Sequence, residues 1–211
     1  MSASGKDGRL LVMHVVFSFA VGGLENGVVN LINRLDVRRF RHVVVALTKC
    51  DPVFCARVSR PDVEFVALHK PPGHSIRLFP ALFRLFRKYR PDVVHTRNLA
   101  ALETTLPAWL AGVPVRIHGE HGWDVTDPDG TNPTYRLIRR LHRPFVTHYI
   151  ALSGHLESYL RDAIGVPGGR VTRICNGVDL ERFVTRGLQR AAIAGSPFND
   201  PKFYVFGTVG R

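Results

Sequence analysis

The sequence predicts an α/β protein built on a doubly wound, mostly parallel sheet. Three observations predict it. Short, near-continuous runs of β-branched, aliphatic and aromatic residues recur along the chain, as expected of strands covered on both faces. Segments with helical apolar spacing alternate with those runs, the pattern of successive βαβ units. Glycine and proline punctuate the junctions, at Gly22-Gly23, at Pro71-Pro72-Gly73 and around Gly112 and Pro114.

Residues 10–19 (LLVMHVVFSF) form the first expected strand, broken by Gly22 and Gly23. A helix follows over 25–35, its apolar face carried by Val28, Val29, Leu31, Ile32 and Leu35. Residues 42–48 (HVVVALT) and 63–69 (VEFVALH) are the second and third strands. A helix over about 75–89 leads to a fourth strand at 92–96 (DVVHT). A helix over 100–111, stopped by Gly112 and Pro114, leads to a fifth strand at 115–119 (VRIHG). A polar loop over 122–133 precedes a helix at 134–142 and a sixth strand at 147–152 (THYIAL). Ser153 reads as the cap of a helix to about 164, and 170–174 is the seventh strand. Beyond Phe183, Gly187, Gly195, Ser196, Pro197 and Asn199 mark a linker over 185–200, and 203–209 (FYVFGTV) restarts a buried strand. The expected organisation is a Rossmann-like domain over 1–184, a linker over 185–200, and the first strand of a second, truncated domain over 201–211.

Composition narrows the class. Hydrophobic residues make up 45% of the 211 and charged residues 22%, which fits a globular protein with a true core and excludes disorder. The formal charge of +12, from 29 Lys and Arg against 17 Asp and Glu, asks for an anionic partner. Lys6 and Arg9 precede an apolar run to Leu24, but His14 interrupts it and no small-residue cleavage site follows. That run reads as a buried strand rather than a secretory signal. No stretch has the length of a membrane-spanning helix. Cys50, Cys55 and Cys175 match no zinc-ligand spacing and read as reduced thiols of a cytoplasmic protein.

Four local patterns carry the chemistry. Gly22-Gly23-Leu24-Glu25 sits between the first strand and helix, where glycine lets backbone N–H groups approach a phosphate at a helix amino terminus. The turn reads GGLENG, so it lacks the G-x-G-x-x-G spacing of dinucleotide-binding proteins, and Thr48 and Lys49 stand where the acidic ribose ligand would follow strand two. His118-Gly119-Glu120-His121-Gly122 lies at the carboxyl end of strand five, where ligands of open α/β sheets bind. His118 and His121 are equally eligible there, and a metal site drawing on His95 competes, although no third ligand falls at a characteristic spacing. Ile174-Cys175-Asn176-Gly177-Val178-Asp179, followed by Arg182-Phe183, contains a sharp Asn-Gly turn. Gly207-Thr208-Val209-Gly210-Arg211 places an arginine after the last strand.

In this order and spacing the four patterns resemble the retaining glycosyltransferase family 4, with the GT-B fold, over essentially the whole chain. Within the family the sequence is similar to transferases encoded with bacterial exopolysaccharide and exosortase systems. The resemblance implies that the chain is the amino-terminal, acceptor-side half of an enzyme. That enzyme would move a sugar from a nucleotide-sugar to a glycan or lipid-linked acceptor, with retention and with no metal or other cofactor. It implies that Gly22, Gly23, Leu24 and Glu25 meet the donor diphosphate and sugar, and that His121 faces the reacting sugar. His118, Glu120 and Asp124 become acceptor-side candidates. Asp179 and Phe183 fix the chain as it leaves the first domain, and Arg211 stabilises the leaving diphosphate, a task suited to a guanidinium fork. The resemblance further implies that this half alone is inactive. A non-catalytic scaffold binding a glycolipid or a partner protein is the alternative from another class.

The positive charge has two readings. Residues 76–90 (IRLFPALFRLFRKYR) are basic and aromatic, and Arg136, Arg139, Arg140 and Arg143 form a second cluster. These fit either helices covering the sheet with solvated basic backs, or peripheral docking on the anionic inner face of the cytoplasmic membrane. Nucleic acid is not the expected partner, because the basic residues fall into no recognisable nucleic-acid module.

Overall fold

A computed structural model describes residues 8–73, 75–124, 126–177, 194–196, 198, 200 and 202–208. Contacts group the chain into two units, Met1–Asn176 and Gly177–Arg211. Asp179, Phe183 and Arg211 lie outside the described residues.

The first unit holds seven parallel strands. They are β1 (Leu10–Val16), β2 (Phe40–Ala46), β3 (Glu64–Ala67), β4 (Val93–Arg97), β5 (Val115–Glu120), β6 (His148–Ala151) and β7 (Val171–Arg173). Their order across the sheet is β3-β2-β1-β4-β5-β6-β7. The helices are α1 (Gly23–Arg34), α2 (Pro52–Cys55), α3 (Phe79–Tyr89), α4 (Asn98–Leu102), α5 (Thr105–Leu110), α6 (Pro133–His142) and α7 (Gly154–Ser158). All seven strands expected in this region are present. Among the described residues no helix is long and apolar enough to cross a membrane.

Three local differences from the sequence reading have physical causes. The helix expected at 100–111 is two short helices, because Pro107 has no N–H to give the carbonyl of Glu103. The Thr104 and Thr105 hydroxyls instead donate back to the carbonyls of Ala101 and Leu102, each at 2.7 Å. The first turn of the expected 75–89 helix is a 3₁₀ turn, Ser75–Leu78, with Pro80 removing the amide that an α-turn would use there. The short α2 was missed. Its start is set by the Asp51 carboxylate, which accepts from the amides of Val53 and Phe54.

Apolar layers cover both faces of the sheet. Met13, Val15, Val43, Val45 and Val94 pack under Leu82 and Phe86 of α3 and Ala108 of α5. Val16, Val44 and Ala46 pack under Val28, Val29 and Ile32 of α1 and Phe54 of α2. Each buried Val, Leu, Ile or Phe side chain among these is worth about 2 kcal/mol in apolar surface removed from water. The doubly wound topology reverses direction between β1 and β4, which opens a crevice at their carboxyl ends.

In the second unit, residues 203–208 form no strand pairing among the described residues, and Tyr204 and Phe206 are exposed. An apolar run becomes a strand only where a neighbouring backbone takes up its N–H and C=O groups, and no sequence pattern reports that neighbour.

Candidate functional site

A cleft of about 410 Å³ occupies the crevice. Its wall is made by Phe17 after β1, Leu24 and Glu25 at the start of α1, and Arg97 at the end of β4. Asn98 and Leu99 of α4, then Gly122, Trp123 and Asp124 after β5, and Arg139 of α6 complete it. A second pocket of about 180 Å³, reaching Tyr135 and Ile138, shares Phe17, Leu99, Ala100 and Asp124 with it.

The glycine turn forms the amino-terminal lip. Gly22 caps α1 in an extended conformation (φ −170°, ψ 155°), so its backbone angle does not require glycine. A side chain at Gly23 would meet nothing within 4 Å. Leu24 and Glu25 line the cleft directly.

The loop after β5 forms the opposite wall. Asn98 takes a left-handed conformation (φ 55°), and its Oδ1 accepts the His121 amide N–H at 2.8 Å. Trp123 packs edge-on against Tyr159, with ring centroids 4.8 Å apart. Gly130 sits at φ 62° directly behind the Trp123 ring, with no room for a Cβ. Asp124 is exposed at the cleft rim and accepts from the amide and hydroxyl of Thr126, the hydroxyl at 2.7 Å. These bonds lower the Asp124 carboxyl below the usual range and keep it ionised.

The other candidates lie beneath the wall. His118 is fully buried; its Nδ1 pairs with the Thr96 hydroxyl at 2.8 Å, and its Nε2 lies 3.4 Å from Glu120. Glu120 is buried too and accepts from Arg139 at 2.7 and 3.2 Å. Burial would raise the Glu120 carboxyl, but the bonds from His118 and Arg139 outweigh it and hold the group at about 2. The His121 ring folds inward over Gly119. A Cβ on Gly119 would lie 2.6 Å from His121 Nε2 and 3.5 Å from His95 Nε2. Burial, reinforced by the charge of Arg97, lowers His121 to about 4, so its imidazole is neutral at neutral pH. Among the described residues no group of three or more His, Cys, Asp or Glu side chains is arranged to hold a metal ion.

A polar array missing from the sequence reading runs across the sheet. Arg97 is 4% exposed, and its guanidinium lies 3.4 Å from His14 Nδ1 and 3.2 Å from His95 Nδ1. His14 Nε2 lies 3.1 Å from His42 Nδ1. Burial, then the Arg97 charge, holds His14 and His95 well below the ordinary histidine range. Burial pushes Arg97 itself down to about 9, still protonated at neutral pH. The available signal was a charged residue closing an apolar strand in VVHTR; ending that strand at Thr96 left it unread.

One expectation is corrected. Arg139 belongs to the basic cluster expected at the surface, but it is 3% exposed, bonded to Glu120, with its charge over the Tyr159 ring at 5.5 Å. Arg136, Arg140 and Arg143 donate to the carbonyls of Gly130, Ala163 and Gly165. Helical spacing carried Arg139 to the inner side of α6, where the buried Glu120 carboxylate offsets its charge.

Residues 21–182 match the family Glycosyltransferase Family 4. The chain belongs to that family. No curated protein matches the sequence. Among solved structures, a glycosyltransferase from Rickettsia africae is similar with a TM-score of 0.65 and 14% identity, over 84% of this chain and 47% of that one. Anabaena HepE, solved in complex with UDP and glucose, is similar with a TM-score of 0.61 and 18% identity, over 81% of this chain and 45% of its own. The UDP-GlcNAc 2-epimerase of Neisseria meningitidis, bound to UDP-GlcNAc, has a TM-score of 0.54 and 16% identity, over 77% and 45%. The chain spans a little under half the length of these structures. The fold of this Glycosyltransferase Family 4 member is the Rossmann-like amino-terminal domain of GT-B glycosyltransferases, a scaffold that also serves epimerases.

Proposed function

We propose that the whole protein transfers a sugar from a nucleotide-sugar to the hydroxyl of a glycan or lipid-linked acceptor, as a hexosyltransferase-type enzyme of polysaccharide biosynthesis. Anomeric configuration is retained and no metal takes part. The observation that carries this reading is the cleft at the β1/β4 switch point, where the glycine turn faces the loop after β5. The open space at Gly23 supports an approach of the donor diphosphate to the backbone at the amino terminus of α1. Leu24 and Glu25 then border the sugar, and neutral His121 hydrogen-bonds a sugar hydroxyl once its ring turns out of the Gly119 recess. Asp124 meets the acceptor at the rim, with His118 and Glu120 supporting it from beneath. Arg211 joins the donor diphosphate from a second domain that holds the nucleotide. On this reading residues 1–184 are the acceptor-side domain, 185–200 a linker and 201–211 the start of the donor domain.

The reading extends to a cytoplasmic enzyme resting on the inner membrane face. On α3, Arg84, Arg87 and Lys88 are exposed beside Phe83, and α6 exposes Arg140 beside Leu137 and Leu141.

Titration calorimetry with UDP-, GDP- and ADP-sugars tests the division of labour. The 211-residue chain is expected to bind none tightly and to turn over none, whereas a longer chain carrying the second domain binds one of them. Tight nucleotide-sugar binding by the 211 residues alone would refute it.

A further inference from the structure

Two buried arginines line the cleft, and they differ in one respect. Arg139 has a carboxylate of its own, Glu120 at 2.7 Å. Arg97 has none: among the described residues its hydrogen-bond partners are the two imidazoles of His14 and His95. Glu25, on the same cleft wall, acts on it only through space.

The hydrogen-bond directions sharpen the contrast. A guanidinium only donates, so Nδ1 of both His14 and His95 accepts. In a neutral imidazole the proton then sits on Nε2. His14 passes its Nε2–H to His42 Nδ1. His95 keeps an Nε2–H that is buried and has no partner. A guanidinium carries five N–H groups, and those of Arg97 not directed at the two imidazoles have no acceptor among the described residues. Arg97 thus brings to the cleft a buried positive charge with no carboxylate of its own. Such an arrangement costs desolvation energy unless something outside the chain completes it.

We propose that Arg97 is an oxyanion subsite that takes a phosphoryl group of one of the two substrates. Two phosphoryl sources are compatible with the reading above, the donor diphosphate and a phosphate joining lipid to glycan in a lipid-linked acceptor, so the identity of the source rests on that reading. The imidazoles serve as positioning groups. They hold the guanidinium plane in place and stay neutral beside it, so they add no charge that would repel Arg97. Arginine suits this role because its fork matches two oxygens of one phosphoryl group.

Binding of inorganic phosphate to the 211-residue chain, at low ionic strength in chloride buffer, tests the subsite without any turnover. It is followed by thermal shift and by the side-chain N–H resonances of arginine. The expected result is saturable binding, weakened at least tenfold by Arg97→Met and less by Arg97→Lys, which keeps the charge and loses the fork. Arg84→Met, the same charge change on the exposed face of α3, should bind as the parent does; should Arg97→Met prove unstable, the comparison of Arg97→Lys with Arg84→Met carries the result. Displacement of phosphate by UDP assigns the subsite to the donor, and displacement by a short alkyl phosphate but not by UDP assigns it to the acceptor. Equal phosphate binding by the Arg97 and Arg84 variants, or no saturable binding by the parent, overturns the proposal. A longer chain that transfers sugar at an unchanged rate with Arg97→Met would leave the glycosyltransferase reading standing and this subsite rejected.

Discussion

The backbone N–H of His121 donates a 2.8 Å hydrogen bond to Oδ1 of Asn98, a residue in the left-handed region at φ 55°. That bond ties the loop after β5 to the turn after β4, two neighbouring segments of the cleft wall. Asparagine suits the position because it tolerates left-handed backbone and carries an acceptor on a short stem. Asn98→Ala is expected to destabilise the domain by about 1–2 kcal/mol, from the lost bond and the strained backbone. Asn98→Gly relieves the strain but not the lost bond, so in both variants the His121 amide should exchange its hydrogen faster. An unchanged exchange rate would mean the tie does not hold the loop.

Gly119 makes room for the His121 ring. In Gly119→Ala the new methyl group would stand 2.6 Å from His121 Nε2, and the ring, being the free end of a side chain, must swing away. Stability should change by less than about 1 kcal/mol, while the His121 imidazole escapes the burial that holds it near 4. An NMR titration should then find His121 moving toward the ordinary value of 6.5. A midpoint still near 4 would contradict this account of the recess.

The Glu120–Arg139 pair should be costly to break from one side. Glu120→Gln leaves a buried guanidinium without its countercharge, for an expected loss of about 3 kcal/mol in urea denaturation. Adding Arg139→Met removes the orphaned charge and should recover most of that loss. If the double variant is no better than the single one, the pair's charge is not what stabilises this wall.

Acid should unfold the domain from below pH 6.5. His42 and His121 are held near 4, and His14 and His95 are also lowered, in each case chiefly by burial. Below 6.5 the unfolded chain binds protons that the folded chain refuses, so stability falls as pH drops from 6.5 toward 4. Each histidine contributes up to about 1.4 kcal/mol per pH unit in that window. Glu120, held at about 2, adds stability that is present above 4.5 and lost below it. Urea midpoints should be flat above pH 7 and fall steeply between 6.5 and 4.5. A flat profile through pH 5 would show that these imidazoles are not neutral in the fold.

The amino-acid sequence by itself determined the architecture. Its buried strands had to be apolar on both faces, and that requirement writes runs such as LLVMHVV and HVVVA into the chain wherever a covered parallel strand occurs. The glycine turn and the loop after β5 were legible for a related reason, since junctions at strand ends need glycine, asparagine and aspartate. Tertiary structure decided which polar residues face the cleft. Arg97 and His95 lie on adjacent pleats from the same strand as the apolar Val94, and only the pairing of β1 with β4 brings His14 beside them. Arg139 looked like one more surface cation until α6 turned it onto Glu120, nineteen residues away. Local patterns record what a residue needs from its neighbours along the chain. Whether a buried charge finds a partner depends on segments far apart in sequence, and that is settled only when the sheet closes.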